Sequence, residues 1–378
     1  MDPYRRHQII WGCAYGLLHR WVCRKFNCTH EDLELEGPVL LVPNHVTAWD
    51  PLLVAMSLRK KQVYYVASEH IFRLGPVSGL LNWMLAPIPR RKASSGVDTV
   101  KACLRHLRAG HSVCLFAEGE QCWAGENSPI FPATGKLAKS SGATLVTYRL
   151  EGGYLSCPRW GRGIRRGKVY GHPVGIYPPE RLKAMSPEEI NEQIRQDIRE
   201  SAWERQMQDP TAYRGKNPAK GMEHALYLCP RCRKIGTLQT ENDRIFCGCG
   251  LELHYTETGF FSPSEPFAHL GQWDAWQREE LRNTRFVPQS SSMLFSDAGM
   301  QLWRLQGGHS SELLLEGELS LQNEALTIGK YRFPMREIGN MALVLANRLL
   351  FTFQDEYYEI LAKNRANFRK YLELWKEN

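Results

Sequence analysis

This chain has no internal repeat, no low-complexity tract and no apolar run long enough to cross a bilayer. Those absences exclude a repeat array and a simple transmembrane anchor. The longest apolar stretch near the N-terminus, Ile9 to Leu18, is bounded by Arg5-Arg6 and His19-Arg20 and is followed by no small-residue cleavage pattern. It therefore does not read as a signal peptide. With Trp11, Tyr15 and Trp21 among apolar residues and basic flanks, residues 1–35 read as an interfacial helical segment; a buried N-terminal helix is the alternative. Extreme charge is also lacking: the net charge is only +8 over 378 residues, and 43% hydrophobic with 23% charged residues describes a globular protein. The eleven cysteines are odd in number and scattered. Reduced thiols in a cytoplasmic protein fit this better than a disulfide framework.

What is present is organised in blocks. From about residue 36 onward, Val39–Val42, Val63–Val66, Val113–Phe116 and Thr144–Thr147 read as buried strands. Val97, Val100, Leu104 and Leu107 share one face of a helix that Gly110 ends. Ser186-Pro187-Glu188-Glu189 is a capping box, and Ile190, Ile194 and Ile198 form the apolar stripe behind it. The expected fold of residues 36–210 is α/β, a mixed sheet flanked by helices. A Gly- and Pro-rich linker at 210–218 follows.

Past the linker, Cys229-Pro230-Arg231-Cys232 and Cys247-Gly248-Cys249-Gly250 place two close cysteine pairs on either side of a short insert. Tetrahedral zinc needs four converging thiolates, so Cys229, Cys232, Cys247 and Cys249 read as a structural zinc site in a ribbon-like module at 222–262. No basic–aromatic run surrounds it, so an interaction or scaffold role is favoured and nucleic acid is not the expected partner. Residues 289–378 alternate short strands with turn signals at Ser296-Asp297-Ala298-Gly299, Gln322-Asn323-Glu324 and Gly329-Lys330, then close with a helix carrying Phe368, Tyr371, Leu372 and Trp375. This pattern predicts a mostly antiparallel β domain with a C-terminal helix, pleckstrin-homology-like or a plain sandwich.

The chemistry centres on Pro43-Asn44-His45-Val46-Thr47-Ala48-Trp49-Asp50. A carboxylate on one imidazole nitrogen fixes the tautomer and lets the other nitrogen take a proton from a hydroxyl. Asp50 before Pro51 also reads as a helix N-cap. Basic clusters at Arg59-Lys60-Lys61, Arg90-Arg91-Lys92 and Arg159 through Lys168 suit anionic headgroups, or are solvated faces.

Taken in order, His45 to Asp50, Ile88-Pro89-Arg90-Arg91, Phe116-Ala117-Glu118-Gly119 and the strand Thr144–Thr147 resemble the four blocks of the lysophosphatidate acyltransferase family, the glycerolipid acyltransferases with an H-x4-D motif. The resemblance covers roughly residues 1–210. It departs at Ala117 (proline in the family), at Glu120-Gln121 (threonine and arginine) and at Thr147 (proline). It implies that His45 is the catalytic base and Asp50 its orienting partner. It also implies that Glu118 and Gly119 shape the acceptor pocket and that Arg91, helped by Arg90, binds the acceptor's anionic group. The implied co-substrates are an acyl-CoA or acyl carrier protein donor and a lysophospholipid acceptor such as 1-acylglycerol-3-phosphate. The implied setting is an anionic membrane surface, peripheral on its inner face. The alternative is a catalytically weak lipid-binding adaptor that works through the ribbon and the β domain.

Overall fold

The computed structural model describes residues 3–69, 76–90, 96–285, 293–305, 311–322, 324–344, 346–363 and 366–376. The chain forms two compact units that divide between Lys216 and Asn217.

In the first unit the described residues form one mixed sheet. Its strands are β1 (Cys28–His30), β2 (Val39–Pro43), β3 (Val63–Ser68), β4 (Ile88–Arg90), β5 (Ser112–Cys114), β6 (Thr144–Glu151) and β7 (Val169–Tyr177), in the spatial order β1-β7-β6-β2-β5-β3-β4. All neighbours run parallel except β6 and β7. The helices are α1 (Pro3–Phe26), α2 (Asp50–Ala55), α3 (Pro76–Leu85), α4 (Val97–Arg108), α5 (Ala133–Ser141), α6 (Gly153–Ser156), α7 (Pro179–Ala184), α8 (Pro187–Ile198) and α9 (Ala202–Gln208). Central β2 is apolar and buried at every position, as a strand covered on both faces must be. Leu40, Val42, Val113 and Leu145 of the sheet share a core with Cys103 and Leu107 of α4, Leu137 of α5 and Ile190, Ile194 and Ile198 of α8. Each of those three isoleucines is essentially fully buried, a contribution of roughly 1.5–3 kcal/mol apiece. The reciprocal Ser186–Glu189 capping box starts α8 as its sequence signals.

On α1, His7, Val22 and Phe26 are buried, and the Trp11 indole and Tyr15 hydroxyl donate to the carbonyls of Leu58 and Met56. The stripe Ile9, Cys13, Leu17 and Trp21, at four-residue spacing, stays exposed. The helix therefore has one buried face and one exposed apolar face. No helix among the described residues is long and apolar enough to cross a membrane.

The second unit opens with a four-stranded antiparallel sheet of β8 (Leu238–Glu241), β9 (Arg244–Cys247), β10 (Glu252–Tyr255) and β11 (Phe261–Ser262). Helix α10 (Leu270–Arg285) follows, its Trp273 indole donating to the Leu228 carbonyl. Next come β12 (Met293–Leu305), β13 (Ser311–Gln322), β14 (Ala325–Ile328), β15 (Tyr331–Pro334), β16 (Ile338–Val344), β17 (Arg348–Phe353) and β18 (Glu356–Ala362), then helix α11 (Arg369–Lys376). The order β15-β14-β13-β12-β18-β17-β16 makes β12 the junction between two antiparallel halves. The turn expected at Ser296–Gly299 is instead a bulge inside β12: its pairing with β13 slips between Asp297 and Met300, where Gly299 has φ +74°. Leu313–Glu316 and Leu319–Leu321 are likewise parts of one strand, β13.

Candidate active site and cysteine cluster

The loop after β2 is pinned before it reaches His45. The Asn44 side chain donates to the Leu150 carbonyl (2.9 Å) and accepts from the Leu150 N–H (2.7 Å), extending the β2–β6 pairing by one side chain. His45 Nδ1 lies 2.7 Å from Asp50 Oδ2, and the ring stacks on Phe116 with centroids 4.4 Å apart. Asp50 is completely buried, whereas the His45 side chain keeps 16% exposure. The expected N-cap role of Asp50 is not what the structure shows. Trp49 occupies the cap position, and Asp50 is the first residue of α2 with its carboxylate turned back. It accepts from the N–H groups of Val46 (2.6 Å) and Thr47 (3.0 and 3.1 Å). One carboxylate thus folds the His45 loop and holds the imidazole.

Glu118 comes from the turn after β5 and closes the same loop from the other side. It accepts from the N–H groups of His45 (2.8 Å) and Ser128 (2.5 Å) and from the Asn127 side chain (3.0 Å). Desolvation dominates its titration and pushes it up to about 7, against those three hydrogen bonds, which favour the charged form. The Cys122 N–H returns a bond to the His45 carbonyl (2.9 Å). Sequence reasoning missed Asn44, Asn127 and Ser128, whose only signal is a polar side chain beside a block.

Gly119 adopts φ +69°, and a Cβ there would lie 2.1 Å from the Phe131 ring. Glycine is required on both counts. The Arg90 guanidinium lies 5.2 Å over the same Phe131 ring, so Arg90 and the Glu118-Gly119 turn meet at one aromatic side chain. Half-burial lowers the Arg90 pKa, and among the described residues no carboxylate pairs with it. Arg91 lies outside the described residues. The residues that replace the family's threonine and arginine have their own partner: Glu120 pairs with Arg159 at 2.9 Å, and Arg159 also donates to the Gln121 carbonyl and covers the Trp123 ring at 4.2 Å. Arg159 and Arg165 are internal, so that basic cluster is not simply a solvated face. Thr147 sits at a bulge between β6 and β7, where its hydroxyl donates to Asp197 and accepts from the Gly175 N–H.

In the second unit the sulfurs of Cys229, Cys232, Cys247 and Cys249 all lie within 4.8 Å of one another. Cys229 and Cys249 are 3.7 Å apart and Cys232 and Cys247 3.8 Å. Four thiolates at ~2.3 Å from a tetrahedral zinc stand roughly 3.8 Å apart, so these donors fit that ion.

Residues 25–151 match the acyltransferase family. The chloroplastic 1-acyl-sn-glycerol-3-phosphate acyltransferase LPAT1 of Arabidopsis thaliana is 27% identical over 170 residues, which are 43% of this chain and 46% of that protein. The chain thus spans under half the length of that relative. Among solved structures, the 1-acyl-sn-glycerophosphate acyltransferase PlsC of Thermotoga maritima aligns over 49% of this chain and 76% of its own, at 16% identity and a TM-score of 0.41.

Proposed function

Because residues 25–151 match the acyltransferase family, we propose that this chain transfers a fatty acyl group from a thioester, acyl-CoA or acyl carrier protein, to a hydroxyl of a lysophospholipid such as 1-acylglycerol-3-phosphate. The observation that carries this reading is the His45–Asp50 contact, which leaves Nε2 as the available ring nitrogen. His45 Nε2 takes the proton of the acceptor hydroxyl as its oxygen attacks the thioester carbonyl. Asp50 stabilises the imidazolium that forms, and the imidazolium then supplies the proton the departing thiolate needs. The N–H groups of His45, Val46 and Thr47 are already engaged by Glu118 and Asp50, so the oxyanion is held by other donors.

Glu118 acts by holding the His45 backbone, and Gly119 keeps the turn tight against Phe131. Arg90 is assigned the acceptor's phosphate, together with Arg91, because Arg159 is committed to Glu120. The exposed stripe Ile9, Leu17 and Trp21 on α1, with Leu80, Trp83 and Leu85 on α3, is assigned to a membrane surface. Arg6 over the Trp83 ring and His7 against the Trp83 carbonyl join the two helices. Zinc held by the four cysteines would tie the two knuckles of the ribbon together.

The test is purified protein supplied with acyl-CoA and a panel of lysolipids, read by mass spectrometry of the lipids formed. A new diacyl product is expected, and His45→Ala abolishes it at unchanged metal content. Turnover by His45→Ala within tenfold of the wild type refutes the assignment. The membrane reading is checked separately: vesicles containing anionic lipid pull down the wild type, and Leu17→Glu with Trp21→Glu prevents it.

A further inference from the structure

Outside both of these sites, α1 and β1 bring three metal-binding side chains together. His19 and Cys23 stand four residues apart on one side of α1, and His30 projects from β1. One ligand atom from each lies within 4.8 Å of the others. His19 Nε2 and His30 Nε2 are 2.8 Å apart. Two imidazole nitrogens that face each other this closely need one shared proton or one shared cation between them. A thiol beside the pair makes the cation the better fit, because two imidazoles and a thiolate are a borderline-soft donor set.

The surroundings have the form of a metal site. The far nitrogen of His30, Nδ1, lies 3.5 Å from an Asp32 carboxylate oxygen. Nδ1 makes no hydrogen bond at that distance, but metal-bound histidines characteristically present their second nitrogen to a carboxylate, and Asp32 is within reach of that role. The His19 ring is braced by Tyr15 at 5.3 Å. The Tyr15 hydroxyl is itself anchored on the Met56 carbonyl at 2.7 Å. All three ligands are partly buried, so they are shielded but not sealed from solvent.

We propose that His19, Cys23 and His30 form a second metal site, for a zinc-class divalent cation completed by water. Zinc–nitrogen bonds of ~2.05 Å would place the two Nε2 atoms roughly 3.3 Å apart, so the rings open by about half an ångström on binding. The ion fastens α1, which carries the exposed apolar stripe, to strand β1 at the edge of the sheet. This site is independent of the acyl-transfer reading, because none of its residues belongs to the His45 loop.

Cobalt(II) and zinc(II) titrations of the full chain under reducing conditions test it. The wild type is expected to bind two equivalents per chain, one with the visible spectrum of four thiolates and one with weaker sulfur charge transfer. Cys23→Ser and His19→Gln should each lose the second equivalent and leave the four-thiolate spectrum unchanged, whereas Cys229→Ser removes that spectrum. A wild type that binds one equivalent overturns the proposal, whatever the variants do. So does a second equivalent that survives both His19→Gln and Cys23→Ser. Zinc should also raise the melting temperature of ribbon-loaded wild type and leave that of ribbon-loaded His19→Gln unmoved.

Discussion

In the N-terminal unit, Asp50 and Glu118 are buried against backbone N–H groups and an imidazole; in the C-terminal unit, Asp274 and Asp297 are held by cations. The Arg369 guanidinium grips Asp274 with two bonds, at 2.5 and 2.8 Å, and neither side chain is more than 4% exposed. Next along α11, the Lys370 ammonium sits 2.6 Å from Asp297, to which the Tyr371 hydroxyl also donates at 2.6 Å. These pairs fasten α11 to α10 and to the bulge of β12. Their charges are cancelled where they sit, so they specify packing and have nothing left to offer a reaction. Among the described residues Asp50 and Glu118 have no Lys or Arg partner. Amide groups hold them in place instead, and on the proposed reading Asp50 is the group that stabilises an imidazolium forming beside it. These four carboxylates are thus satisfied differently at the proposed site and in the packing of α11.

The sharpest way to break that contrast is Asp50→Asn. An amide presents a donor to the N–H groups of Val46 and Thr47 and gives the ring no charge. Turnover should fall by about 10³–10⁴-fold. A loss of less than tenfold in steady-state acyl transfer would put Asp50 among the merely structural carboxylates.

Arg369→Met probes the other side. Leaving buried Asp274 with only the half-exposed Arg278 and the Gln277 side chain should cost the C-terminal unit about 3 kcal/mol in urea unfolding followed by tryptophan fluorescence. Adding Asp274→Leu should restore most of that loss, because a well-packed apolar pair replaces a buried ion pair at little cost. A double variant as unstable as the single would show that the pair is more than glue.

The smallest effect concerns Glu118. Its folded pKa of about 7 stands above the ordinary 4.5. The folded state therefore binds this proton more tightly than the unfolded chain does. Stability from this group is complete below pH 4.5 and is lost as pH rises towards 7. Against Glu118→Gln, the wild type should lose about 3 kcal/mol of relative stability across that window, with flat differences outside it. Parallel pH profiles for the two proteins would mean that its hydrogen bonds offset its desolvation in full.

Strands β2, β3, β5 and β6 of the N-terminal sheet were legible because they are short apolar runs punctuated by glycine and capping signals, whereas β1, β4 and β7 are short or mixed in polarity and were not. The His45, Glu118 and cysteine blocks were legible because each requires particular residue types at fixed spacing. Helix α10 was not. Its buried face is Leu270, Trp273, Asp274, Gln277 and Leu281, a helical stripe in which two of five members are polar. A search for apolar periodicity passes over such a stripe, because Asp274 and Gln277 are buried by bonding each other and partners far away in sequence, such as Arg369 and the Ala225 carbonyl. Strand β18 was missed for a related reason: buried Glu359 interrupts its apolar run and is paired with Arg348 of β17. The Ser296–Gly299 signal was read as a chain reversal because bulges and turns draw on the same small and polar residues.

The double duty of Asp50 has a kinetic consequence. The bonds that fold the 45–47 loop and the bond that aims the imidazole end on one carboxylate, so the loop cannot open without releasing the ring. Helix α2, which supplies that carboxylate, is six residues long and marginal on its own. Local opening of this segment needs less free energy than unfolding of the sheet behind it. On the proposed reading, turnover therefore fades on heating while the tertiary structure still stands, and is a more sensitive thermometer of this corner of the protein than any global melting signal.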